Sequence, residues 1–480
     1  MLGTKFSKLI TRAGLLILII GLMWSCSFFG DRKKKQYRPI DFDLSQDVGP
    51  FNGMGANVPI SFYSRRMKPL QTLNDLGIKV IRVKREADNW DDILALRTAT
   101  QRLGIKWVYS VDAIPANFVD RHGQLADIKG FAGWWAEEVD ELFYQEVPAD
   151  YIELLSRPDS SPNDSLPLTP DSYNALIHAV RKELDLRDFQ QVGIVGPSLS
   201  TPELSGDLES WYMNLDQEAF DILDHWTVHA WADSTAAENI GSAVADLKKY
   251  LSNIESLKPI WVSSYATAET NFNHEKYPDP DRYDQIGNLP GFETYYYSAS
   301  FSMPYALRVY SNTLRLLEHG GVMPLIYQLY DAPTDVKHKK QSRGLLDLNG
   351  VAKPAFTTLI NLIKRIPANA VIVPASENLQ PNLMSLCFRS QEQVVVTICN
   401  ENTSPQTIQV RMHGSGHSME FTRAVGLHAP EIFPGVLGKR DGVKLSNTQF
   451  KLRWDGENNS YFFVVTIAPQ SIIVAEFLLN

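Results

Sequence analysis

The sequence predicts an α/β barrel followed by an all-β sandwich, on three observations. Eight short apolar runs alternate with amphipathic stretches from about residue 50 to about residue 365, and strands that alternate with helices are typical of a parallel sheet. Eight repeats over roughly 315 residues fit a closed (β/α)8 barrel with enlarged loops better than an open sheet. After Ile366-Pro367 the helical patterns stop, and short alternating runs take their place.

The composition is that of a soluble globular protein and excludes a disordered, disulfide-stapled or multi-span membrane chain. Hydrophobic residues make up 44% of the 480 residues and charged residues 21%, with only three cysteines. The formal net charge is −9. Because a nucleic-acid-binding protein would be expected to show a basic face, no nucleic-acid partner is predicted.

The first residues have the pattern of an export signal. Basic residues without any acidic one precede an apolar run, Ala13–Trp24, which is shorter than the roughly 20 residues that span a bilayer. Ser25-Cys26 follows and resembles the cleavage box of bacterial lipoproteins. We expect residues 1–25 to be a signal peptide, Cys26 to carry a lipid, and residues 26–45 to form a tether and a strand joining the sandwich. The protein would then be anchored in the bacterial cell envelope; plain secretion and an uncleaved anchor are the alternatives.

Residues 46–366 carry the barrel pattern. The apolar runs that predict its strands are Phe51–Val58, Ile78–Val83, Ile105–Val111, Tyr151–Leu155, Val192–Val195, His225–Ala230, Pro259–Val262 and Val322–Leu329. Helical periodicity lies between them and is clearest at Trp90–Leu103, Ser172–Leu184, Ser242–Ile254 and Tyr305–His319. No phosphate-binding glycine motif follows any run, which disfavours a nucleotide, and no cofactor is expected.

Residues 367–480 carry the sandwich pattern, with no helical stretch of useful length. The runs that predict its strands are Val371–Val373, Leu383–Arg389, Gln393–Cys399, Gln406–Met412, Phe450–Trp454, Tyr461–Ile467 and Ser471–Leu478. Tyr37–Leu44 lies outside the barrel repeats and is a candidate for one more strand. Cys387 and Cys399 flank a predicted hairpin, where a disulfide and two buried thiols are both open.

Polar and aromatic residues at the ends of the predicted strands are candidate ligand contacts, because the chemistry of a barrel lies at the C-terminal ends of its strands. Arg82 would face the barrel and needs a carboxylate partner, for which Glu153 is a candidate; a structural ion pair is the alternative. His229 would hydrogen-bond a hydroxyl or act as a general acid, unless it only fills the top of the barrel. The other candidates are Asp112, Trp231 (as a platform for a sugar ring), Gln328 and Tyr330.

Several landmarks recur in order from about residue 45 to residue 480. They are Gly53–Asn57, Tyr151–Asp159, Ile194–Ser198, His229–Trp231, Lys258–Tyr265, Gly344–Asp347 and Lys353–Phe356. This order resembles the retaining glycoside hydrolases of clan A, such as families 30, 39 and 5, in which a (β/α)8 barrel precedes a β-sandwich. The resemblance implies a carbohydrate ligand, either a polysaccharide or an oligosaccharide.

The two positions that matter most for hydrolysis depart from that family pattern. The family's fourth strand ends in Asn-Glu-Pro, whose Glu is the acid/base, and the corresponding residues here are Ser156-Arg157-Pro158. The family's nucleophilic Glu ends the seventh strand, where this chain has Ser264 before Tyr265. Retaining hydrolysis needs two carboxyl groups about 5–5.5 Å apart, and an arginine, with a pKa above about 12, cannot serve as the acid. The resemblance therefore implies no catalytic residue at the expected positions, and it makes Ser156, Arg157, Ser264 and Tyr265 candidate contacts to a bound sugar instead.

Three functions remain open on the sequence. The first is a catalytically degenerate barrel that binds a glycan, and Arg157 would suit an acidic sugar because its planar fork matches a carboxylate or a sulfate. The second is an active hydrolase with relocated acids, for which Asp159 and Glu269 are the fallback candidates. The third is an envelope scaffold without a ligand. No metal site is predicted, because His225 and His229, four residues apart on a strand, would lie about 13 Å apart.

Overall fold

The structure is a computed structural model of the chain. It describes residues 39–59, 69–84, 90–160, 167–200, 211–232, 240–267, 275–276, 297–331, 343–347, 350–376, 382–428, 443–445 and 450–480. The expected signal peptide and Cys26 lie outside the described residues. None of the helices in the described part of the chain combines the length and apolarity that crossing a membrane requires.

Eight parallel strands close into a barrel, which confirms the predicted fold class. After an N-terminal strand, β1 (Pro39–Asp43), the barrel strands are β2 (Met54–Val58), β3 (Ile78–Lys84), β4 (Lys106–Ser110), β5 (Tyr151–Glu153), β6 (Gly193–Leu199), β7 (Leu223–Ala232) and β8 (Ile260–Thr267). A short pair, β9 (Glu275–Lys276) and β10 (Tyr297–Ser298), precedes the last barrel strand, β11 (Val322–Ile326), which pairs with both β8 and β2. Each of the eight apolar runs of the sequence contains or overlaps one of these strands.

Helices cover the outside of the barrel. They are α1 (Pro69–Asp75), α2 (Trp90–Arg102), α3 (Ile128–Tyr144), α4 (Pro170–Leu186), α5 (Gln217–Ile222), α6 (Ile240–Asn253), α7 (Met303–Leu317) and α8 (Pro354–Ile363), with 3₁₀ turns at Ala116–Phe118 and Ala299–Phe301. Their starts follow capping chemistry: Asp127, Thr169 and Ser302 accept a hydrogen bond from the first turn of α3, α4 and α7. A proline in that first turn also favours the starts of α4 and α7.

Two sheets form the sandwich. The larger one is built from β12 (Val371–Pro374), β13 (Leu383–Arg389), β14 (Gln393–Asn400), β16 (Met419–His428), β17 (Val443–Lys444) and β20 (Ser471–Leu479). The smaller one contains β15 (Gln406–His413), β18 (Arg453–Asp455), β19 (Ser460–Ile467) and β1, which runs parallel to β15. The chain therefore contributes one strand to the sandwich before it enters the barrel.

The barrel and the sandwich share one hydrophobic core, because residues of the larger sheet pack in the same cluster as the barrel helices. Polar contacts also cross this boundary: among them, the Tyr310 hydroxyl lies 2.5 Å from the Thr397 hydroxyl, and Arg308 donates to Glu401 at 2.6 Å. Buried contacts of this kind resist relative motion, so the sandwich fixes the barrel wall formed by α7.

The two described cysteines are buried free thiols on neighbouring strands. Cys387 packs into the sandwich core, whereas Cys399 packs into the core shared with the barrel. In the β13–β14 register Cys387 lies opposite Val396 and Cys399 opposite Met384, so the two thiols are offset along the sheet and face opposite sides of it. A disulfide, which needs Cα atoms within about 7 Å and converging side chains, does not form.

Candidate functional site at the barrel mouth

The barrel interior is layered, and its lowest layer is apolar. The residues of that layer come from alternate positions of the strands and are Val80, Val108, Val195, Trp261, Met323 and Leu325. His225 stacks on Trp261 with ring centroids 3.8 Å apart in this layer, and burial lowers the pKa of His225 to about 4. This layer closes the bottom, so a ligand reaches the barrel only from the C-terminal mouth, as in other barrels of this kind.

The middle layer is a closed polar network around an ion pair between Arg82 and Glu153. Arg82 Nε donates to Glu153 Oε2 at 2.5 Å, and its other nitrogens donate to Asn57 Oδ1 at 3.0 Å and Ser110 Oγ at 2.7 Å. Glu153 also accepts from Ser110 Oγ at 2.6 Å and from Ser198 Oγ. Arg82 is 1% and Glu153 0% exposed. The polar groups of both side chains therefore bond within the protein. Arg82 and Glu153 form a structural ion pair, the alternative that the sequence left open, and Arg82 is not a ligand contact.

Above this network, Lys84 and Asp112 form an ion pair at the barrel mouth, with Nζ and Oδ2 2.5 Å apart. Both groups remain partly open to solvent, with 27% and 36% of their side chains exposed. Burial would raise the pKa of Asp112, but the charges of Lys84, Arg82 and Arg157 outweigh it and hold that pKa below its usual range. Asp112 is therefore an anion that already has a cation partner.

Arg157 lies at the end of the fourth barrel strand, half-buried, with a backbone φ of 55°. Its amide donates to the Ser198 carbonyl at 3.1 Å, and the preceding Ser156, which is 3% exposed, donates its amide to the loop after β4. The charge of Arg157 acts on Asp112, Asp159 and His229.

Asp159, one of the two fallback acids, is bound to the loop that follows β6. Its carboxylate accepts from the Ser200 amide at 2.8 Å and from the Ser200 hydroxyl at 2.6 Å. Burial raises the pKa of Asp159 above its usual range, although these hydrogen bonds and the charge of Arg157 oppose the shift. Glu269, the other fallback acid, lies outside the described residues.

His229 and Ser264 lie side by side at the mouth, paired in register on β7 and β8. They are 2% and 1% exposed, yet neither ring nitrogen of His229 nor the Ser264 hydroxyl has a hydrogen-bond partner among the residues the structure describes. Burial and the charges of Arg82, Arg157 and Lys84 hold the pKa of His229 well below its usual range, so the imidazole is neutral.

Tyr265 corrects one expectation of the sequence. Its ring is fully buried outside the barrel, and its hydroxyl lies 2.8 Å from the Thr313 hydroxyl on α7. A register shift between Val228 and His229 causes this, because it turns Ser263 and Ser264 inward and leaves Tyr265 facing the helix. Tyr265 therefore cannot contact a ligand at the mouth.

The remaining candidates lie after the last barrel strand, β11, or at the end of the sixth barrel strand, β7. Gln328 and Tyr330 are 4% and 5% exposed; the Gln328 carbonyl accepts from the Leu345 amide, and Leu329 and Asp331, on either side of Tyr330, bond to Leu346. Trp231 belongs to β7, but its side chain lies outside what the structure describes. Gln328 and Tyr330 are therefore buried just beyond the C-terminal end of β11.

Sequence reasoning missed the residues that complete the polar network around the Arg82–Glu153 pair, either by bonding to the pair or by bonding to Ser198. They are Asn57, Ser110, Ser198, Thr227 and Ser263, and each occupies a barrel-facing position. Polar residues at inward positions of several otherwise apolar strands would have signalled them. Lys84 was missed in the same way, although it follows Arg82 by two positions and so faces the same side.

Chemically, the mouth offers hydrogen-bond donors and positive charge. Three described carboxyl groups near it have partners: Glu153 is bound to Arg82, Asp159 to Ser200, and Asp112 to Lys84 through Oδ2, while Asp112 Oδ1 has no described partner. Among the described residues no group of three or more His, Cys, Asp or Glu side chains is arranged to hold a metal ion.

A closed eight-stranded parallel barrel joined to a β-sandwich is the architecture of the clan A glycoside hydrolases, and solved structures of that class have the fold of this chain. The family 30 subfamily 8 xylanase Xyn30A from Clostridium acetobutylicum matches with a TM-score of 0.59 and 13% identity, over 92% of this chain and 99% of the xylanase. The GH39 enzyme from Xanthomonas axonopodis pv. citri matches with 0.58 and 12%, over 94% and 99%.

The family 51 α-L-arabinofuranosidase AbfB from Bifidobacterium longum gives a TM-score of 0.60 at 11% identity, over 92% of this chain and 99% of AbfB. No family model matches the sequence, and no curated protein matches it. The likeness therefore establishes the fold over almost the whole chain, including both the barrel and the sandwich.

Proposed function

We propose that this protein is a carbohydrate-active protein of glycoside-hydrolase fold that binds a polysaccharide or oligosaccharide at the barrel mouth without cleaving it. The fold supports the carbohydrate ligand, since the solved proteins that share it include a xylanase and an arabinofuranosidase. One observation carries the loss of hydrolysis: both carboxylate oxygens of Glu153 and of Asp159 are bound by other protein groups, and Asp112 is ion-paired with Lys84 through Oδ2, although its Oδ1 has no described partner.

The chemistry of hydrolysis explains why that observation matters. A retaining mechanism needs one carboxylate to attack and one carboxyl to handle protons, and an inverting mechanism needs two carboxyl groups about 6.5–9.5 Å apart. The ends of the fourth and seventh barrel strands carry Arg157 and Ser264. Neither a guanidinium nor a serine whose hydroxyl is not hydrogen-bonded to a base, as is the case for Ser264 beside His229, replaces a carboxylate in these roles. A glycan held there would be bound and released intact.

The test combines binding and hydrolysis on the purified full-length chain. A glycan array should give binding to at least one glycan, and the bound glycans, together with a panel of aryl glycosides, should yield no product. Tyr265→Phe, which changes only the outward hydroxyl, is the matched control and should bind as the wild type does. Hydrolysis of a bound glycan would overturn the proposal, and an empty array would favour a scaffold that carries no ligand.

An active hydrolase with a relocated acid is the second candidate, and one observation favours it. The raised pKa of Asp159 is what a general acid needs near neutral pH. Its two hydrogen bonds to Ser200 oppose the role, because they favour the carboxylate over the acid. Activity that disappears in Asp159→Asn and persists in Tyr265→Phe would establish this candidate.

We further propose that the protein is exported and held at the bacterial cell envelope by a lipid on Cys26. The basic and apolar pattern before Ser25-Cys26 supports this. In cell fractionation the wild type should sediment with membranes, and Cys26→Ala should lose incorporation of labelled fatty acid. Equal labelling of both proteins would contradict the anchor.

A further inference from the structure

The barrel mouth contains four buried polar atoms without a hydrogen-bond partner among the described residues: both ring nitrogens of His229, the hydroxyl of Ser264 and Oδ1 of Asp112. Buried polar atoms are nearly always hydrogen-bonded in folded proteins, and each exception calls for an explanation. His229 and Ser264 are 2% and 1% exposed, so bulk water does not satisfy them. Together these atoms offer both donors and acceptors, because a neutral imidazole has one of each, a hydroxyl acts as both and a carboxylate oxygen accepts.

His229 and Ser264 lie directly above the middle polar layer, at the end of the barrel where a ligand enters. On β7, Thr227 joins the middle network, so strand alternation places His229 inward and one step higher. Ser264 is paired with His229 across β7 and β8, and the side chain that follows it, Tyr265, faces α7. Neighbouring strands are about 4.8 Å apart, so two adjacent hydroxyl groups of one sugar ring can bond to both side chains at once.

Asp112 lies at the same opening, on the side of β3 and β4. Its Oδ2 pairs with Lys84, which follows Arg82 of the middle layer by two positions and therefore also faces inward. The charge of Lys84 acts on both Asp112 and His229: it opposes the effect of burial on the pKa of the carboxyl group, and it adds to burial in lowering the pKa of the imidazole. The unpartnered Oδ1 of Asp112 is thus one more acceptor at this opening.

The charges around the opening are balanced, which favours an uncharged ligand. Each cation that acts on His229 has a partner within the protein; these cations are Arg82, Lys84 and Arg157. The imidazole itself is neutral, because burial and these charges hold its pKa well below its usual range. An anionic group would therefore meet no uncompensated cation, and it would face the lone pairs of His229 and of Asp112 Oδ1, to which it cannot donate.

We propose that His229, Ser264 and Asp112 form a subsite for an uncharged sugar, in which two neighbouring hydroxyl groups bond to the imidazole and the serine and a further hydroxyl donates to Asp112 Oδ1. Sugar hydroxyls fit this set because each one both donates and accepts, whereas a carboxylate or a sulfate only accepts. The subsite rests on the proposed function, because it assumes that a glycan occupies the mouth. An acidic sugar, the ligand that Arg157 favours on the sequence alone, is the competing outcome.

A first experiment compares neutral and acidic sugars of the same shape: methyl glucoside with methyl glucuronide, and methyl galactoside with methyl galacturonide. Ligand-observed NMR on the full-length chain measures the weak affinities of single sugar rings. At least one neutral glycoside should bind, and its acid should bind no more tightly. Tighter binding of the acid would overturn the inference, because it would reveal an uncompensated cation.

Asp112→Asn makes the charge balance itself testable. This variant leaves Lys84 without its counter-charge, so the affinity for the acid should rise about two- to tenfold relative to that for the neutral glycoside. Tyr265→Phe, which changes an outward hydroxyl, is the control and should keep the preference of the wild type. An unchanged preference in Asp112→Asn would show that this carboxylate does not set the charge of the site, and the inference would fail.

A second experiment removes the hydroxyl groups of the neutral glycoside one at a time, with its 2-, 3-, 4- and 6-deoxy forms. Losing a hydroxyl that bonds to His229 or Ser264 leaves a buried atom unsatisfied, so two neighbouring positions should each weaken binding about three- to tenfold. In Ser264→Ala one of these two losses should disappear, because the partner of that hydroxyl is gone. Deoxy forms that all bind as tightly as the parent glycoside would overturn the inference.

Stability separates a binding role from a structural one. Ser264→Ala removes a buried hydroxyl that has no described partner, so the Tm of the free protein should stay the same or rise. Ser110→Ala is the matched control: the same change on β4 removes bonds to Arg82 and Glu153, and its Tm should fall. A fall in Tm for Ser264→Ala equal to that of Ser110→Ala would contradict the binding role.

The remaining outcomes distinguish the two proposals. If neither neutral glycoside binds although a glycan on the array does, the subsite is refuted while the proposed function stands. If no glycan on the array binds, the proposed function fails, and the subsite fails with it.

Discussion

Replacing Glu153 by glutamine should destabilise the barrel, because this carboxylate is the centre of the middle polar layer. It accepts from Arg82, Ser110 and Ser198, and it is 0% exposed. Glutamine keeps the shape but removes the negative charge, and its NH2 group turns a donor towards existing donors. Arg82 is then left as a buried cation without a counter-ion.

The size of the effect follows from these contacts. Breaking a buried ion pair by removing one partner costs about 3–5 kcal/mol, mostly through the uncompensated charge. The structure describes 342 residues, and at about 2.1 cal/mol/K per residue their entropy of unfolding is about 0.7 kcal/mol/K. If the barrel and the sandwich unfold together, as their shared core indicates, the Tm should fall by about 4–7 °C.

Differential scanning calorimetry measures this shift, with Glu137→Gln as the control. Glu137 lies on the surface, with 69% of its side chain exposed and a single contact to Arg187 at 3.7 Å, and such pairs contribute at most about 1 kcal/mol. The double variant Arg82→Met/Glu153→Leu should recover much of the loss, because replacing a whole buried pair by apolar side chains is often neutral.

An unchanged Tm for Glu153→Gln would refute this account of the middle layer. The same result together with lost hydrolytic activity would mean that Glu153 is a catalytic acid rather than a structural one. A double variant that is less stable than Glu153→Gln alone would show that the serine and asparagine partners of the pair, and not its charges, dominate the energy.

Three further predictions concern other parts of the fold. Gly55→Ala should lower the free energy of unfolding by about 1–3 kcal/mol through overpacking, because the added Cβ would lie 2.4 Å from a leucine side chain of β11. In the control Gly133→Ala, the added Cβ meets nothing within 4 Å, so the change should be neutral or stabilising. Equal denaturation midpoints for the two variants would contradict this prediction. Burial raises the pKa of Glu318 to about 7, so the folded protein holds a proton that the unfolded chain loses above about pH 4.5, and stability falls as the pH rises from there to about 7. Glu318→Gln should therefore add about 1–3 kcal/mol at pH 8 and nothing at pH 4, and a pH-independent effect in denaturant titrations would refute it. Cys387 and Cys399, both fully buried, should react with a thiol reagent only after unfolding, and oxidation of the native protein should not join them.

The fold was predictable because its signal is local and repeated. A parallel strand buried on both faces must be apolar along its whole length, and each of the eight barrel strands left such a run in the sequence. The C-terminal strands alternate polar and apolar residues where one face meets solvent, as β15 does. Helix α3, which carries Phe131, Trp134 and Trp135, is not among the helices that the sequence predicts. Its apolar face can be recognised only once the sheet against which it packs is known.

The candidate site was predictable in position but not in detail. Strand alternation indicated Arg82, the end of the sixth strand indicated His229, and the resemblance to the glycoside hydrolases indicated Arg157 and Ser264. The prediction that Tyr265 contacts a ligand was wrong, because a β-bulge in β8 shifts the phase of the alternation and leaves no mark in the residue pattern. The sequence also does not show which side chains bond to Arg82. It offers Glu153 as a candidate ion-pair partner, but it does not indicate the hydroxyl groups that complete the hydrogen bonds of the pair.

The sequence by itself determined the two architectures, their order along the chain and the residue types at the strand ends, because hydrophobic periodicity encodes burial directly. Only the tertiary structure decided which of those residues are used within the protein and which are left unsatisfied. That division depends on contacts between strands tens to hundreds of residues apart, such as the 71 positions between Arg82 and Glu153. A pairing across such a separation is set by barrel closure and register, and no local pattern in the chain records it.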